Sequence, residues 1–326
     1  MEGREAGRSS QLESTTAPPS QREKKQQLDQ VQPATTQTHE TPDPTLAIGN
    51  SPRFLGDRQP LPDELQLLED FQLLLDEGQV ALPRSFWEAN YNESRCSLFW
   101  RFLVANEGHL AHAKEQLTKD IAWREDIKLY ELQGRTREEI VGVDDAFFLE
   151  QYPCIFLGYE DEANNYAPVV YRSLTHLQTK ALAAKGVTVE KMVKHELWQY
   201  ETDCKLLFSH PESFPARQLK VIIDINGMTW GQCTKDLVSI LSGFSSFSKL
   251  HHPERLQKLF IIGAPKPFLF IWNTIISHII PVSTKNKITI LHTFEGHLWL
   301  EAWMAKLPAA LEDAKAKAAS APTGPK

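Results

Sequence analysis

The stretch LHHPERLQKLFIIGAPKPFLFIWNTIISHIIPVSTKNKITIL, residues 250–291, decides the fold of this chain. Its middle, residues 268–280, holds nine large apolar side chains in thirteen positions, and we call it the apolar segment. A helix of this length rises about 20 Å at ~1.5 Å per residue, whereas the hydrocarbon core of a bilayer is roughly 30 Å thick. The apolar segment is therefore too short to span a membrane.

The apolar segment is amphipathic if it is helical. At 100° per residue, the polar side chains Asn273, Thr274, Ser277 and His278 share one sector, and Phe270 is the apolar exception inside it. Most of the other apolar side chains cover the rest of the surface. This pattern predicts either a core helix under a sheet or a helix whose apolar face meets lipid, as a bound acyl chain or a membrane surface.

The sequence around the apolar segment alternates between strand and helix patterns. Apolar runs rich in Val and Ile at 219–226, 258–264 and 287–293 predict buried strands, and residues 235–247 predict a helix between the first two. Strand, helix, strand, helix, strand indicates a mainly parallel sheet with crossovers. Upstream, residues 154–161 and 167–173 predict a hairpin about Asn164 and Asn165, followed by a helix over 187–208.

The remaining chain predicts a helical module and two tails. Residues 61–127 show apolar side chains at helical spacing and are expected to form a bundle, with a polar connection over 133–139 and a second domain over 128–307. Residues 1–60 are rich in Ser, Thr, Gln and Pro and are expected to be disordered. After a last helix around 299–306, residues 308–326 are expected to be a mobile tail.

Composition limits the class of protein. The formal net charge of −7 over 326 residues argues against a nucleic-acid binder, which would need a basic surface. The four cysteines lie far apart without CxxC spacing, which is typical of reduced thiols in a cytoplasmic protein. The N-terminus lacks the apolar run of a secretory signal, and no stretch is apolar enough to span a membrane. We therefore expect a cytoplasmic protein.

Motifs that carry chemistry are missing from the sequence. It contains no GxGxxG, no GxxxxGK[ST] and no GxSxG. His195 and Glu196 begin like the zinc motif HExxH, but Gln199 stands where the second ligand is needed, and the adjacent His251 and His252 cannot both reach one metal from a regular element. We expect no catalytic residue, no metal site and no enzymatic activity.

Ordered motifs carry a family resemblance. They are Asp224-x-x-Gly227, Pro253-Glu254-Arg255-Leu256, Ala264-Pro265, Phe268, Trp272, Pro281, Thr284 and Lys287-Ile288, and in the helical module Leu98, Arg101-Phe102-Leu103, Ala105, Ala113 and Trp123-Arg124. In this order they resemble the CRAL-TRIO family, which includes phosphatidylinositol/phosphatidylcholine transfer proteins and the retinal and tocopherol carriers. The resemblance covers about residues 61–307.

The resemblance implies an α/β CRAL-TRIO fold, in which a helical N-terminal bundle precedes a mainly parallel sheet flanked by helices that enclose an apolar pocket. It implies a pocket floor at Leu219, Val221 and Ile223. It makes the apolar segment the mobile gate, through Phe268, Leu269, Ile271, Trp272, Ile275, Ile276, Ile279 and Ile280. The implied function is to bind a phospholipid, such as phosphatidylinositol, or an isoprenoid-type lipid, and to carry or present it at membranes.

The resemblance also implies a headgroup site and a choice of partners. Glu254 and Lys287 match positions that contact the headgroup in the phosphatidylinositol binders, although a surface ion pair without a ligand is the other reading. Asn106 and Glu107 stand where those members carry an Arg-Lys pair, which favours as an alternative a non-exchanging scaffold for membranes or small-GTPase regulators. We expect a monomer that touches membranes transiently, with no cofactor other than a bound lipid.

Overall fold

The structure is a computed structural model that describes residues 61–89, 91, 93–164, 166–209, 218–280 and 282–320. The disorder expected for residues 1–60 lies outside the described residues, as do the last six positions of the expected tail. The described residues form a helical module, a five-stranded sheet and helices on both faces of that sheet.

The helical module consists of α1 (Pro62–Glu77), α2 (Arg84–Ala89), α3 (Arg95–Ala105) and α4 (Leu110–Asp126). Local chemistry sets its helix starts: the Glu64 carboxylate accepts from the Leu61 N–H at α1, and the Ser94 hydroxyl accepts from the Ser97 N–H at α3. The module has its own core, in which the rings of Phe71 and Phe99 meet edge to face. The helices that the apolar spacing predicts for residues 61–127 are therefore present.

Short helices occupy the region where the sequence predicts a polar connection. They are α5 (Leu129–Gln133), α6 (Arg137–Val141) and α7 (Asp145–Gln151). The predicted polar connection over 133–139 becomes helical at Arg137, because Thr136 and Glu139 form a capping box that starts α6. Ile140 and Val141 then bury this short helix in the main core.

The sheet comprises β1 (Cys154–Tyr159), β2 (Pro168–Ser173), β3 (Leu219–Asp224), β4 (Leu256–Ile262) and β5 (Ile288–Ile290), in that order. β1 and β2 form the predicted antiparallel hairpin, and β2 to β5 run parallel. Helix α8 (Thr179–Ala184) and the long helix α9 (Val189–Leu206) connect β2 to β3, and α10 (Lys235–His251) connects β3 to β4. The mainly parallel sheet predicted from the sequence is confirmed.

Alternation along β3 sends its side chains to two different cores. Leu219 and Val221 pack with α9 and α10 in the main core, whereas Ile222 packs in a second core on the opposite face. The main core is also the side on which the chain between β4 and β5 lies, since Phe268, Ile271 and Ile276 pack there. The site described below is therefore on the α9 and α10 face.

The opposite face of the sheet is covered by α14 (Leu298–Met304) and α15 (Leu307–Ser320). The tail expected to be mobile from residue 308 is instead helical to Ser320. Its sequence is rich in Ala, Leu and Lys, which are strong helix formers, and Leu307, Leu311 and Ala314 pack against the sheet at helical spacing. Packing by this apolar stripe explains why the helix continues.

The apolar segment is helical but not uniformly α-helical. It consists of α11 (Lys266–Ile271), a π-helical turn (Trp272–Ile276) and α12 (Ser277–Ile279), followed by α13 (Val282–Lys285) before β5. In a π-turn the backbone hydrogen bonds run from i to i+5, so the turn holds one residue more than an α-turn. Side chains after the turn therefore point in directions that a 100° wheel does not predict.

Candidate functional site

A cavity of about 550 Å³ lies between the sheet, α9, α10 and the apolar segment. Its volume is in the range of pockets that hold small molecules. The walls are mostly apolar, with contributions from β3 and β4, from α10 and from the apolar segment, by Val221, Ile223, Leu259, Ile261, Leu237, Ile240, Leu241, Phe244, Phe268, Trp272, Ile276, Ile279 and Ile280.

The predicted gate residues divide into two groups. Phe268, Trp272, Ile276, Ile279 and Ile280 line the cavity, whereas Leu269, Ile271 and Ile275 are not among its lining residues. Five of the eight predicted gate residues therefore form the cavity wall, and the gating role of the apolar segment stays a prediction. Leu269 and Ile275 are turned outward, with 36% and 40% of their surface exposed, and Ile271 is buried in the main core.

The predicted pocket floor is also divided. Val221 and Ile223 line the cavity, but Leu219 does not. Leu219 has 0% of its surface exposed, because it lies at the start of β3, where neighbouring core side chains cover it completely. The floor is thus formed by the later part of β3 together with β4.

Charged side chains line the inner end of the cavity, by which we mean the end whose lining residues are buried. The Arg172 guanidinium on β2 donates to a Glu196 carboxylate oxygen at 2.6 Å and to an Asp203 carboxylate oxygen at 2.6 Å, both on α9. Although burial alone would raise the pKa of Glu196, the charge of Arg172 and a hydrogen bond from His195 lower it, so Glu196 is ionised. Arg172 and Glu196 line the cavity.

Tyrosine side chains line the same end. Tyr152 and Tyr200 are each 5% exposed and form part of the cavity wall. Burial raises the pKa of both phenols well above the ordinary value, so both are protonated and able to donate. Arg172 and Tyr200 do not stand out in the sequence as pocket residues, and Glu196 does so only within the incomplete zinc motif, although Met192, Glu196 and Tyr200 recur every four residues and so share one stripe of α9.

The cavity reaches solvent next to the helical module. Most of its exposed lining residues are on α4 and at the end of α10, at His112, Glu115, Lys119, Lys249 and Leu250. The predicted headgroup residues are on this side as well: Lys287 donates to the Glu254 carboxylate at 2.7 Å, and the two side chains are 24% and 19% exposed. An ion pair of this exposure contributes about 0 to 1 kcal/mol to stability, so it can open at little cost.

The loop that carries Glu254 is fixed by its neighbours. Arg101 of α3 donates to the Pro253 carbonyl at 2.9 Å, and Gln218 donates to the Glu254 carbonyl at 3.0 Å. Glu254 itself has a φ of +58°, a conformation that costs a non-glycine residue roughly 1 to 2 kcal/mol. The anchored loop thus holds the Glu254 side chain beside Lys287 in a strained backbone geometry.

A buried charge network joins the loop to the helical module. Both Arg101 and Arg255 donate to the Glu93 carboxylate, each with a closest approach of 2.7 Å, and all three side chains are at most 4% exposed. A second set of contacts, between α4 and His251, lies beside this network. Arg124 donates to the His251 carbonyl at 3.1 Å, and the ring of His251 stacks on Trp123 at 3.7 Å between ring centres.

His252 pairs with Glu201 inside the same interface. Burial lowers the pKa of His252, while the charges of His252 and Arg124 bring the pKa of Glu201 down to about 2 against the opposing effect of burial. The adjacent histidines that could not share a metal thus have separate partners, because His251 contacts Asp120 of α4 and His252 contacts α9.

Asn106 and Glu107, which replace the family's basic pair, differ in position. Asn106 lines the cavity and donates to the Gln116 side chain at 2.6 Å, and Gln116 in turn donates to the Leu250 carbonyl at 2.9 Å. Glu107 is not among the lining residues and has a φ of +53°. This part of the entrance therefore presents amides rather than cations.

Apolar side chains are exposed on the outer side of the apolar segment. Phe270 is 58% exposed and contacts the ring of Trp230, which is 60% exposed, and Val282 is 69% exposed. Leu269, Ile275 and Ile279 of the same segment are exposed as well, at 36% to 40%. A patch of this kind is typical of an interaction surface.

Comparison with known families identifies the domain. Residues 149–305 match the family model described as CRAL/TRIO domain. This part of the chain is a CRAL/TRIO domain. The strands of the CRAL/TRIO domain, the apolar segment and the Glu254–Lys287 pair all lie inside the matched range, whereas the helical module precedes it.

Relatives and a solved structure agree with the CRAL/TRIO assignment. "Phosphatidylinositol/phosphatidylcholine transfer protein SFH4" of Arabidopsis thaliana is 25% identical over 232 residues, which are 70% of this chain and 35% of that protein. "Protein real-time" of Aedes aegypti is 23% identical over 189 residues, 57% of this chain and 28% of that protein. The chain thus spans about a third of the length of the curated relatives it matches.

The crystal structure of Sfh5 shows the same fold as this protein. It aligns with a TM-score of 0.50 at 15% identity, covering 70% of this chain and 79% of the other. Among the described residues, no helix is both long and apolar enough to cross a membrane. Within the same ranges, no group of three or more His, Cys, Asp or Glu side chains is placed to hold a metal ion.

Proposed function

We propose that the CRAL/TRIO domain binds a lipid in its internal cavity and carries or presents it at membranes, without catalysis. The observation that carries this proposal is the apolar cavity of about 550 Å³ whose wall is closed by the apolar segment. The ligand is a phospholipid, the class named in the titles of two transfer proteins among the relatives, or else an isoprenoid-type lipid. The protein acts as a monomer from the cytoplasm.

The affinity comes from burying hydrocarbon. Each CH₂ group moved from water into an apolar cavity contributes ~0.8 kcal/mol, so one long acyl or isoprenoid chain contributes on the order of 10 kcal/mol. An exposed ion pair contributes about 1 kcal/mol or less. The hydrocarbon therefore supplies most of the binding energy, and the polar entrance at Glu254 and Lys287 selects among headgroups.

Exchange requires the apolar segment to move. The ligand must be covered in water and released at a bilayer, and the outer side chains Leu269, Phe270 and Ile275 are exposed where a membrane surface would accept them. The π-turn at Trp272–Ile276 supports this role, because such turns are weak points of helices and are frequent at functional sites.

Lipid identification tests the proposal. The full chain is purified, extracted with organic solvent and examined by mass spectrometry, and its transfer of labelled lipid between vesicles is measured. A lipid present in near-stoichiometric amount, together with transfer above the spontaneous rate, is the expected result. An empty cavity combined with no transfer contradicts the proposal.

Neighbouring isoleucines supply a matched pair of variants. Ile276 is 4% exposed and lines the cavity, whereas Ile275 is 40% exposed and does not. Ile276→Asp places a carboxylate inside the cavity and is expected to lower lipid occupancy at least tenfold. Ile275→Asp is expected to keep occupancy but to slow exchange with vesicles, and circular dichroism checks that both variants fold. Equal occupancy in the two variants would count against the cavity as the binding site.

The amides at the entrance favour a second candidate function. Because Asn106 and Glu107 stand where phosphate-binding members carry cations, and Asn106 donates to the Gln116 amide instead, the domain would serve as a membrane scaffold that exchanges no lipid. A Glu254→Ala, Lys287→Ala double variant separates the two functions. Membrane recruitment that survives in this variant, in a protein that never loads lipid, supports the scaffold; loss of headgroup selection in a loaded protein supports transfer.

A further inference from the structure

The C-terminal end of α10 is capped by side chains of the helical module. The last carbonyl groups of a helix have no partner inside that helix. At the end of α10, Gln116 of α4 donates to the Leu250 carbonyl at 2.9 Å. Arg124, also of α4, donates to the His251 carbonyl at 3.1 Å. The helical module therefore supplies the donors that complete this end of α10.

His252 directly follows α10 and lies inside the same interface, with 3% of its side chain exposed. Its ring meets the ring of Tyr200 on α9 edge-on at 4.9 Å between ring centres, and that of Trp123 on α4 edge-on at 6.4 Å. Nε2 faces the Glu201 carboxylate, whereas Nδ1 has no hydrogen-bond partner among the residues that the structure describes. The ring therefore fits this place as a neutral imidazole that donates through Nε2.

The Glu201 carboxylate is well supplied with donors besides His252. The Tyr91 hydroxyl donates to it at 2.5 Å, the Gln133 amide at 3.0 Å and the Arg124 guanidinium at 3.5 Å. A carboxylate that accepts from a guanidinium and two neutral donors is already stabilised as an anion. Glu201 therefore does not require a charged imidazole beside it.

The buried charges of this interface balance one another. Within the described part of the chain, three carboxylates and three guanidinium groups meet here, each on a residue at most 5% exposed. They are Glu201 of α9, Asp120 and Arg124 of α4, Arg101 of α3, Glu93 before α3 and Arg255 before β4. The other titratable groups there are His251, Tyr91, Tyr200 and Cys204. A proton on His252 would add a buried positive charge to a set that is already balanced.

The environment of His252 makes its protonation depend on where the ring lies. Burial, together with the charge of Arg124, lowers the pKa of His252 against the opposing effect of Glu201. In water the pKa of a histidine is about 6.5. The state with a buried ring thus binds fewer protons than a state with an exposed ring, so acid favours exposure. The equilibrium shifts by up to about tenfold for each pH unit below this value, until the buried ring itself takes up a proton.

Exposure of the His252 ring separates the helical module from the end of α10. The residue lies between His251, whose carbonyl Arg124 holds, and Pro253, whose carbonyl Arg101 holds. Turning the ring out to water breaks these contacts. Most of the exposed lining of the cavity is on α4 and at the end of α10, so their separation widens the solvent end of the cavity.

We propose that His252 is an acid-sensitive latch, whose protonation releases the end of α10 from the helical module and lets the cavity lose its ligand faster. This inference rests on the proposed lipid-binding function and specifies how ligand release is regulated. Glu201 stays ionised in mildly acidic solution, because its pKa is about 2. The response near neutral pH therefore belongs to the histidine and not to its carboxylate partner.

Hydrogen exchange of the full chain, followed by mass spectrometry, tests the latch without a ligand. Exchange is compared at about pH 7.4 and about pH 5 after correction for the intrinsic rate, and circular dichroism checks that the chain stays folded. Peptides over 249–255 are expected to lose about tenfold of their protection at the acidic pH, whereas β3 and β4 keep theirs. Equal protection of 249–255 at both pH values overturns the proposal.

Release of Nile red from the delipidated full chain tests the consequence for the cavity. The release rate is expected to be about tenfold higher at about pH 5 than at about pH 7.4. His252→Gln keeps an amide N–H that can donate to Glu201 but takes up no proton, so the ratio of the two rates is expected to fall to about twofold or less. His176→Gln is the matched control: His176 is exposed and does not line the cavity, so the ratio is expected to stay as in the wild type.

The outcomes separate the latch from the function on which it rests. If the purified chain holds no lipid and binds no Nile red, the proposed function fails, and hydrogen exchange still decides whether the latch exists. A wild-type release rate that does not change with pH overturns the proposal. An acid response that persists in His252→Gln but disappears in His251→Gln also overturns it, because the proton then acts at the neighbouring ring. If His252→Gln does not fold, hydrogen exchange of the unmodified chain decides alone.

Discussion

The pairing of Glu93 with two arginines predicts a large loss of stability when its charge is removed. In Glu93→Gln the two guanidinium groups of Arg101 and Arg255 remain buried next to each other without their shared carboxylate. Burial and the charge of Arg255 already lower the pKa of Arg101, which shows how unfavourable this proximity is. Removing one partner of a buried ion pair costs about 3 to 5 kcal/mol, and we expect a loss in this range.

Urea unfolding followed by circular dichroism measures the loss, with a matched control on the surface. Glu115 pairs with Lys119 at 2.6 Å, but both side chains are more than 60% exposed. Glu115→Gln is therefore expected to leave the free energy of unfolding nearly unchanged. Combining Glu93→Gln with Arg255→Met removes a charge of each sign, so the double variant is expected to lose less than the two single variants together.

The result that refutes this reasoning is specific. If Glu93→Gln and Glu115→Gln lower the free energy of unfolding by the same amount, burial does not strengthen the Glu93 interactions. Strict additivity of Glu93→Gln and Arg255→Met would show that the two residues do not act as a pair. Either outcome would remove the charge network as the link between the helical module and the loop that carries Glu254.

Three further predictions concern the backbone, acid stability and membrane contact. Gly263 has a φ of +69°, and an added Cβ would lie 2.6 Å from Asn226, so Gly263→Ala is expected to lower the free energy of unfolding by several kcal/mol. Gly186→Ala is the control and is expected to cost about 1 kcal/mol, because φ is +81° there but no atom lies within 4 Å of the added Cβ. Equal losses in the two variants would contradict the steric explanation. The pKa of Glu201 is lowered from 4.5 to about 2 in the folded protein, so the unfolded chain binds more protons between these values. Stability therefore falls as pH drops through this window, by on the order of 3 kcal/mol. A urea titration against pH should show this slope, and Glu201→Gln should remove its contribution to the slope; an unchanged slope would contradict the assignment. Phe270 is 58% exposed, so Phe270→Ser is expected to leave thermal stability nearly unchanged. In a flotation assay the same variant is expected to bind neutral vesicles about tenfold more weakly. Unchanged flotation would exclude the Phe270 side chain from the contact with the membrane.

The sequence predicts the helices and strands whose apolar side chains recur at a regular spacing. The strand pattern at 219–226 and 258–264, the long helix now seen at Val189–Leu206 and the helicity of the apolar segment all follow from spacing alone. The family resemblance adds Glu254 and Lys287, which the fold brings to 2.7 Å. Their role toward a headgroup stays a prediction.

Contacts between distant residues could not be predicted in this way. Glu93 and Arg255 are 162 positions apart, and no periodicity links a carboxylate before α3 with an arginine before β4. Arg172 lies in a run that correctly predicts a strand, but alternation does not say which neighbouring helix will supply its carboxylates. The inner end of the cavity is therefore visible only in three dimensions.

The sequence predicts that the apolar segment is helical, but it does not predict which of its side chains are exposed. A 100° wheel places Phe270 alone among exposed positions, and Phe270 is exposed, yet Leu269, Ile275 and Ile279 are exposed as well. The π-turn at Trp272–Ile276 adds a residue to one turn and shifts the side chains that follow. Nothing in the residue pattern indicates this turn, since it contains neither proline nor glycine.

The Glu93 ion pairs set a lower limit on the length of chain that folds as one unit. The recognisable family segment begins at residue 149, but Arg255 inside it shares its counter-ion with Arg101 outside it. A gene fusion or truncation that kept only the recognisable segment would remove the carboxylate that Arg255 shares with Arg101. The folding unit is thus longer than the segment by which relatives are recognised, because it includes the helical module.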